Sequence, residues 1–270
     1  NNIDKKHRVW SCTKAFTSTV MGLLYDDGEL TPETFASDHV SSLSSQYPNV
    51  RLKHFAAMTS GYDAVGGAAW GNYLDGSDTP WVPTDPMFEP GEAYLYWDDA
   101  ANMMAHVLTQ IAQEQISVLF RQRIAGPIGM DSSSWSWGDY GIVDGYLLNG
   151  GGGNGKGVEI TAREMARFGH LFLNRGNWDG NQVLSTSWVD DATQNHVPAS
   201  IPLFRDINTG PETGHMDIEG RGIYGYHWWV NGITVDGSRS MPDAPVGTFY
   251  RTGHNDNYVI VVPEWDMVIV

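Results

Sequence analysis

The chain has 270 residues, 41% hydrophobic and 18% charged, with 32 acidic against 16 basic side chains and a formal net charge of −16. That length fits one large globular domain, or a domain carrying an inserted lobe, and so acidic a surface, with no Lys/Arg cluster to offset it, excludes nucleic acid and anionic lipid as expected partners. No apolar run approaches the ~20 residues of a membrane-spanning helix, Asn1 to Lys6 carry no signal-like apolar stretch, and a single cysteine, Cys12, excludes an intrachain disulfide or a multi-cysteine metal site.

From Ser11 to about Asp26, Phe16, Val20, Leu23 and Leu24 recur at helical spacing, and Asp27–Gly28 stops the segment. A helix with one buried face is expected there, beginning near Ser11. Between Thr31 and Trp81 short segments are broken by glycine and proline, with one helix expected around Arg51 to Met58. After the Pro90–Gly91 turn, Asp98 to about Gln113 and Ile116 to Ile124 read as two helices ending at Gly126–Pro127. A glycine run, Gly150 to Gly153, leads through Val158 and Ile160 to Thr161-Ala-Arg-Glu164, a capping box that opens a helix with Met165, Phe168, Leu171 and Phe172 on its apolar stripe. Gly225 to Val230, Gly247 to Thr252, Tyr258 to Val262 and Met267 to Val270 read as antiparallel strands.

Three stretches carry residue types suited to chemistry. Ser11-Cys-Thr-Lys14 places a hydroxyl and an amine three residues apart on one helix face, so a desolvated lysine could take the serine proton while the Ser11 N–H faces an oxyanion. An N-cap serine beside a surface lysine is the plain alternative. Tyr96, two residues before the helix-starting Asp98, could relay a proton, or be a packed aromatic next to an ordinary N-cap. Arg251-Thr252-Gly253-His254 joins a cation, a hydroxyl and a glycine at a strand edge, where the N–H of His254 could be a second oxyanion donor, or it is simply a turn into an edge strand.

Other signals are weaker. Gly150 to Lys156 nearly spells a phosphate-binding loop, but Gly157 replaces the Ser/Thr that would bind magnesium. His7, His39, His106 and His170 show no metal-ligand pairing and read as packing or surface residues. No Gly-x-Ser-x-Gly elbow is present. Cys12 reads as a small core residue. Trp70, Trp81, Trp135, Trp137, Trp228 and Trp229 read mainly as core, with Trp97 leaning toward the site.

Taken in order, these motifs resemble the serine β-lactamase and penicillin-binding-protein superfamily, in particular its class C-like branch of family VIII esterases, D-aminopeptidases and nylon-oligomer hydrolases. Leu52 to Gly61, Gly126 to Met130, Thr161 to Gly169 and Tyr224 to Trp229 look like further segments of that branch. The resemblance implies a β-lactamase/transpeptidase-like α/β fold of the α+β type: a mainly antiparallel sheet flanked by helices, formed by residues 1–30 and 150–270, with a helical and loop-rich lobe at 31–149 inserted and the site between them. It implies Ser11 as acylated nucleophile, Lys14 as base or proton relay, Tyr96 as the group shuttling a proton to the leaving group, and Arg251, Thr252 and Gly253 where relatives carry Lys-Thr-Gly or His-Thr-Gly.

Three departures from the family pattern bear on substrate. Asp98 stands where Asn is usual, which should raise the Lys14 pKa; Arg251 replaces a group able to give up a proton; Asn255 and Asp256 replace two glycines. With Asp98 and Asp256 both acidic, a carboxylate-bearing substrate is disfavoured. The expectation is a small-molecule ester, amide or short-peptide substrate and a hydrolase using no metal or cofactor. A D-amino-acid peptidase, a weak β-lactamase and a non-catalytic binding protein stay open, and the resemblance leans to a periplasmic or secreted setting.

Overall fold

A two-residue strand, β1 (His7–Arg8), and a tight turn over Trp10–Cys12 lead into α1 (Thr13–Asp26). The computed structural model describes residues 3–65, 79–153, 156–210 and 216–270. Next come α2 (Leu52–Ala56), β2 (Ala64–Val65), β3 (Thr79–Pro83), α3 (Asp98–Ala112) and α4 (Ile116–Phe120). Three strands, β4 (Trp135–Trp137), β5 (Asp139–Val143) and β6 (Tyr146–Asn149), precede β7 (Val158–Ile160) and α5 (Ala162–Leu173). The chain continues through β8 (Asn177–Trp178), β9 (Asn181–Gln182), α6 (Thr186–Ala192) and α7 (Phe204–Ile207). It closes with β10 (Trp229–Val230), β11 (Phe249–Gly253), β12 (Asn257–Val262) and β13 (Met267–Ile269).

Two sheets matter for the site. One has the order β10-β11-β12-β13 and the other β1-β7-β4, and every strand pairing is antiparallel. This is a β-lactamase/transpeptidase-like arrangement of helices and antiparallel sheets, as the sequence motifs imply.

Helix α1 is the hub. Thr13 through Leu24 are all buried, so the helix is wrapped on every side rather than along one stripe. Two of its hydroxyls bond to carbonyls within the fold: Thr19 donates to the Ala15 carbonyl at 2.8 Å and Thr17 to the Gly151 carbonyl at 3.1 Å. Phe16 stacks on Phe168 with ring centroids 4.2 Å apart and meets Phe120 at 5.2 Å. Gly22 leaves the space that the Trp188 ring fills.

Element boundaries depart from the sequence expectations at identifiable points. Ser11 lies in the turn before α1, because Cys12 N–H closes back on Val9 O at 3.0 Å. The helix expected to reach Ile124 is α-helical only to Phe120; beyond it Gly126 N–H bonds Arg121 O at 2.9 Å, a wider turn. The strand expected from Gly225 shortens to Trp229–Val230, since Gly225 N–H bonds Trp228 O at 2.8 Å and His227 takes φ 62°. At α5, Thr161 Oγ1 accepts from Glu164 N–H at 3.3 Å, but Glu164 does not complete the box. The Thr161 N–H is engaged by Ser134 O at 3.0 Å, and Glu164 turns instead to Arg167 at 3.3 Å.

Candidate active site

Four segments converge on Ser11. It sits in the turn ahead of α1, after Trp10, whose φ of 48° is left-handed. Lys14 lies in the first turn of α1 and is fully buried. Tyr96 comes from the extended chain before α3, Asp98 opens that helix, and Arg251 reaches in from β11.

Lys14 Nζ lies 3.1 Å from Ser11 Oγ and 2.7 Å from Gly152 O, and it is hydrogen-bonded to Asp98 Oδ1. The Gly152 carbonyl and the Asp98 carboxylate can only accept, so they fix two N–H bonds of the amine. The remaining valence points at Ser11 whether it is a third N–H or, in neutral lysine, a lone pair. Burial pushes the Lys14 pKa down, with Asp98 opposing and Arg251 assisting. The rise expected from Asp98 is thus present but outweighed by desolvation. Asp98 is no ordinary N-cap: α3 starts without a side-chain cap, and the carboxylate is spent on Lys14.

Tyr96 is buried, and its hydroxyl hydrogen-bonds the Ser11 side chain and accepts from Arg251 Nη2. Lys14 Nζ stands 4.6 Å from its ring centroid. Burial raises its pKa to about 12, against the lowering influence of Arg251. Arg251 is itself fully buried; its Nε donates to Ser11 O at 2.8 Å and its Nη1 to Tyr224 Oη at 2.8 Å. All three guanidinium nitrogens are therefore engaged within the protein.

The end of β11 presses against the Ser11 turn. A Cβ on Gly253 would strike the Val9 carbonyl and lie 3.3 Å from Cys12 N. Thr252, between Arg251 and Gly253, takes the opposite face of the strand. His254 is exposed, with its ring edge-on to Trp10 at 5.2 Å. Asn255 and Asp256 have φ of 61° and 57°, a left-handed turn built from the residue types that tolerate it best after glycine. Asp256 lines a cavity with His7, Thr161 and Met165, a lining that includes none of Ser11, Lys14 or Tyr96. With Asp98 neutralised by Lys14 and Asp256 directed elsewhere, the expected acidic wall against a substrate carboxylate is not assembled at Ser11. Cys12 is buried with its thiol pushed up to about 12 by desolvation, in keeping with a core role.

Several residues at this site escaped the sequence reading. Gly151 and Gly152 N–H groups both donate to Asn102 Oδ1, at 2.9 and 3.0 Å, which aims the Gly152 carbonyl at Lys14. Asn102 stands one helical turn after Asp98, a spacing that could have revealed it. The glycine run thus serves the lysine. Trp229 stacks on Tyr96 at 5.8 Å and 18°, whereas Trp97 is buried with its backbone N–H toward Met58 Sδ at 3.5 Å. Trp228 packs among Phe168, Phe172 and Phe249 in the core; Trp70 lies outside the described residues. Among the described residues, no helix is long and apolar enough to cross a membrane.

Comparison with known proteins adds an independent line. The model of the family described as Beta-lactamase matches residues 2–270. The chain is 22% identical over 262 residues to the 6-aminohexanoate-dimer hydrolase of Paenarthrobacter ureafaciens, a match covering 84% of this chain and 64% of that protein. It therefore spans just under two thirds of that relative's length. Among solved structures it is similar to a family VIII carboxylesterase, with a TM-score of 0.71 at 14% identity over 98% of this chain and 76% of the other. A simvastatin synthase (LovD) variant from Aspergillus terreus gives a TM-score of 0.71 at 15% identity, over 99% and 75%. At such identities the structural likeness bears on the fold.

Proposed function

This chain belongs to the beta-lactamase family, and from that premise we propose that it is a serine hydrolase acting through an acyl-enzyme on an ester or amide. The observation that carries the reading is the setting of Lys14: two pure acceptors hold it so that its free valence meets Ser11 Oγ at 3.1 Å. Ser11 Oγ attacks the carbonyl carbon while its proton passes to the lone pair of neutral Lys14 Nζ, and the Tyr96 hydroxyl, which can take a proton only as it gives up its own, relays it toward the leaving group. The N–H groups of Ser11 and His254 receive the oxyanion. The same proton then goes to the leaving alcohol or amine, and water, deprotonated along the reverse route, releases the acid and restores Ser11.

The division into a sheet unit (1–30 and 150–270) and an inserted lobe (31–149) belongs to this reading, with the Lys14–Asp98 pair joining the two parts at the site. Arg251 is fully buried and donates from Nε, Nη1 and Nη2 to oxygens within the protein, which supports substrates that do not rely on it to grip a carboxylate.

The test is p-nitrophenyl acetate turnover with mass spectrometry after a fluorophosphonate probe. The expected result is a burst, an adduct on Ser11, and loss of both in Ser11→Ala. A Ser11→Ala variant that hydrolyses the ester as fast as the parent would overturn the reading, as would absence of both burst and adduct.

A further inference from the structure

The geometry points to Tyr224 as a positioning residue of the reaction: we propose that its hydroxyl fixes the plane of the Arg251 guanidinium and, through it, the phenol of Tyr96. The inference rests on the serine-hydrolase reading above and adds a residue to it.

Arg251 spans three oxygens that belong to three separate segments. Its Nε donates to the Ser11 carbonyl at 2.8 Å, its Nη1 to Tyr224 Oη at 2.8 Å, and its Nη2 to the hydroxyl of Tyr96. A guanidinium is planar, so two anchored nitrogens determine where the third one falls. Ser11 O and Tyr224 Oη are those anchors. Nη2 then arrives at the oxygen that shares a hydrogen bond with the Ser11 side chain.

Tyr224 is built not to move. It is fully buried, and its ring stands edge-on to Trp229 at 4.6 Å and to Tyr94 at 5.7 Å. Its N–H donates to Asn195 Oδ1 at 3.1 Å, and its carbonyl accepts from His196 N–H at 2.8 Å. A rigid anchor of this kind acts on the orientation of Tyr96 during proton transfer, not on contact with substrate. Without the hydroxyl, a buried Nη1 is left unpaired and the guanidinium re-seats, carrying the Tyr96 donor with it.

The test is acylation of Ser11 by a fluorophosphonate probe, followed in single turnover by mass spectrometry, together with kcat and KM for p-nitrophenyl acetate. Tyr224→Phe removes only the hydroxyl and keeps the ring. The expected result is a loss of about 10- to 100-fold in acylation rate and kcat, with KM changed by less than about twofold. Arg251→Lys keeps a cation that cannot span both tyrosines; in that background Tyr224→Phe should cost nothing further, since the two act as a unit. If Tyr224→Phe is labelled as fast as the parent, the proposal fails while the hydrolase reading stands. Additive losses in the double variant overturn the route through Arg251. A parent never labelled at Ser11 defeats the hydrolase reading itself. Circular dichroism melts of each variant, with the assays run below its melting transition, keep lost folding apart from lost positioning.

Discussion

Gly153 lies against the amide of Ser11: a Cβ built on Gly153 would stand 2.5 Å from Ser11 N and 2.7 Å from Ser11 Cα. Its φ of 137° also lies in the region that favours glycine. The Ser11 N–H is a proposed oxyanion donor, and its approach is open because this one position lacks a side chain. Gly153→Ala is expected to slow acylation of Ser11 by about 100-fold or more, the scale of losing one oxyanion donor. Stopped-flow bursts with p-nitrophenyl acetate check this, and an undiminished burst would sink the role given to the Ser11 amide.

Asp98 and Lys14 form a buried ion pair, so replacing the carboxylate should change the pH at which the amine becomes a base. Burial lowers the Lys14 pKa and Asp98 raises it. Asp98→Asn removes the raising influence, the amine loses its proton at lower pH, and the acidic limb of the acylation profile should move to lower pH. Stability follows the same sign. Lys14 has a folded pKa below its ordinary 10.5, so the unfolded chain binds the extra proton between the two values and this contribution to stability grows as pH rises toward 10.5. The variant widens that gap, so its melting-temperature deficit relative to the parent should be larger near about pH 6 than near about pH 9. A deficit independent of pH, with an unmoved acidic limb, would rule out this account.

These two positions show how far the sequence was legible. Ser11, Lys14, Tyr96 and Arg251 could be picked out because each lies in a short segment whose spacing has a chemical meaning, and the structure gathers all four. The strands from Phe249 to Ile269 were readable for the same local reason, short aromatic and β-branched runs between turn residues. Gly152 and Gly153 were visible as a glycine run and Tyr224 as the start of a family-like segment, but not their roles, since letting one backbone approach another or anchoring a guanidinium leaves no periodic trace. The signs of charge effects were harder still. From sequence Asp98 read both as a charge raising the Lys14 pKa and as part of an acidic wall; the packing of α3 on α1 shows the carboxylate held by Lys14, with desolvation outweighing its effect on the amine.

Cys12 adjoins the nucleophile, and its chemistry separates a thiol mechanism from a serine one. The side chain is fully buried, its Sγ lies 3.7 Å from both Arg251 O and Asn257 O, and burial pushes the thiol pKa up to about 12. Hardly any thiolate exists at neutral pH. Native protein should therefore react with Ellman's reagent only after denaturation. Rapid native labelling that also abolishes ester hydrolysis would assign Cys12 a part denied to it here.

Thr161 offers a stability test away from the site. Its Oγ1 accepts from Glu164 N–H at 3.3 Å and caps α5, whose Phe168 and Phe172 pack into the aromatic core beside Phe16. Thr161→Ala should cost about 1 kcal/mol, seen as a fall of about 2–4 °C in melting temperature for a chain of this size class. Ester hydrolysis at 25 °C should be unchanged, because the cap touches none of Ser11, Lys14 or Tyr96. The full capping box would make Glu164→Gln nearly as harmless as the parent, since glutamine can also reach back to the N-cap N–H. Here that N–H is held by Ser134 O at 3.0 Å and Glu164 faces Arg167 at 3.3 Å. Glu164→Gln should thus lose an ion pair to a half-exposed arginine, worth up to about 1 kcal/mol. Raising the salt concentration should shrink this loss while leaving that of Thr161→Ala in place. Differential scanning calorimetry of both variants at low and high salt measures the contrast, and a salt-insensitive Glu164→Gln deficit would contradict the pairing.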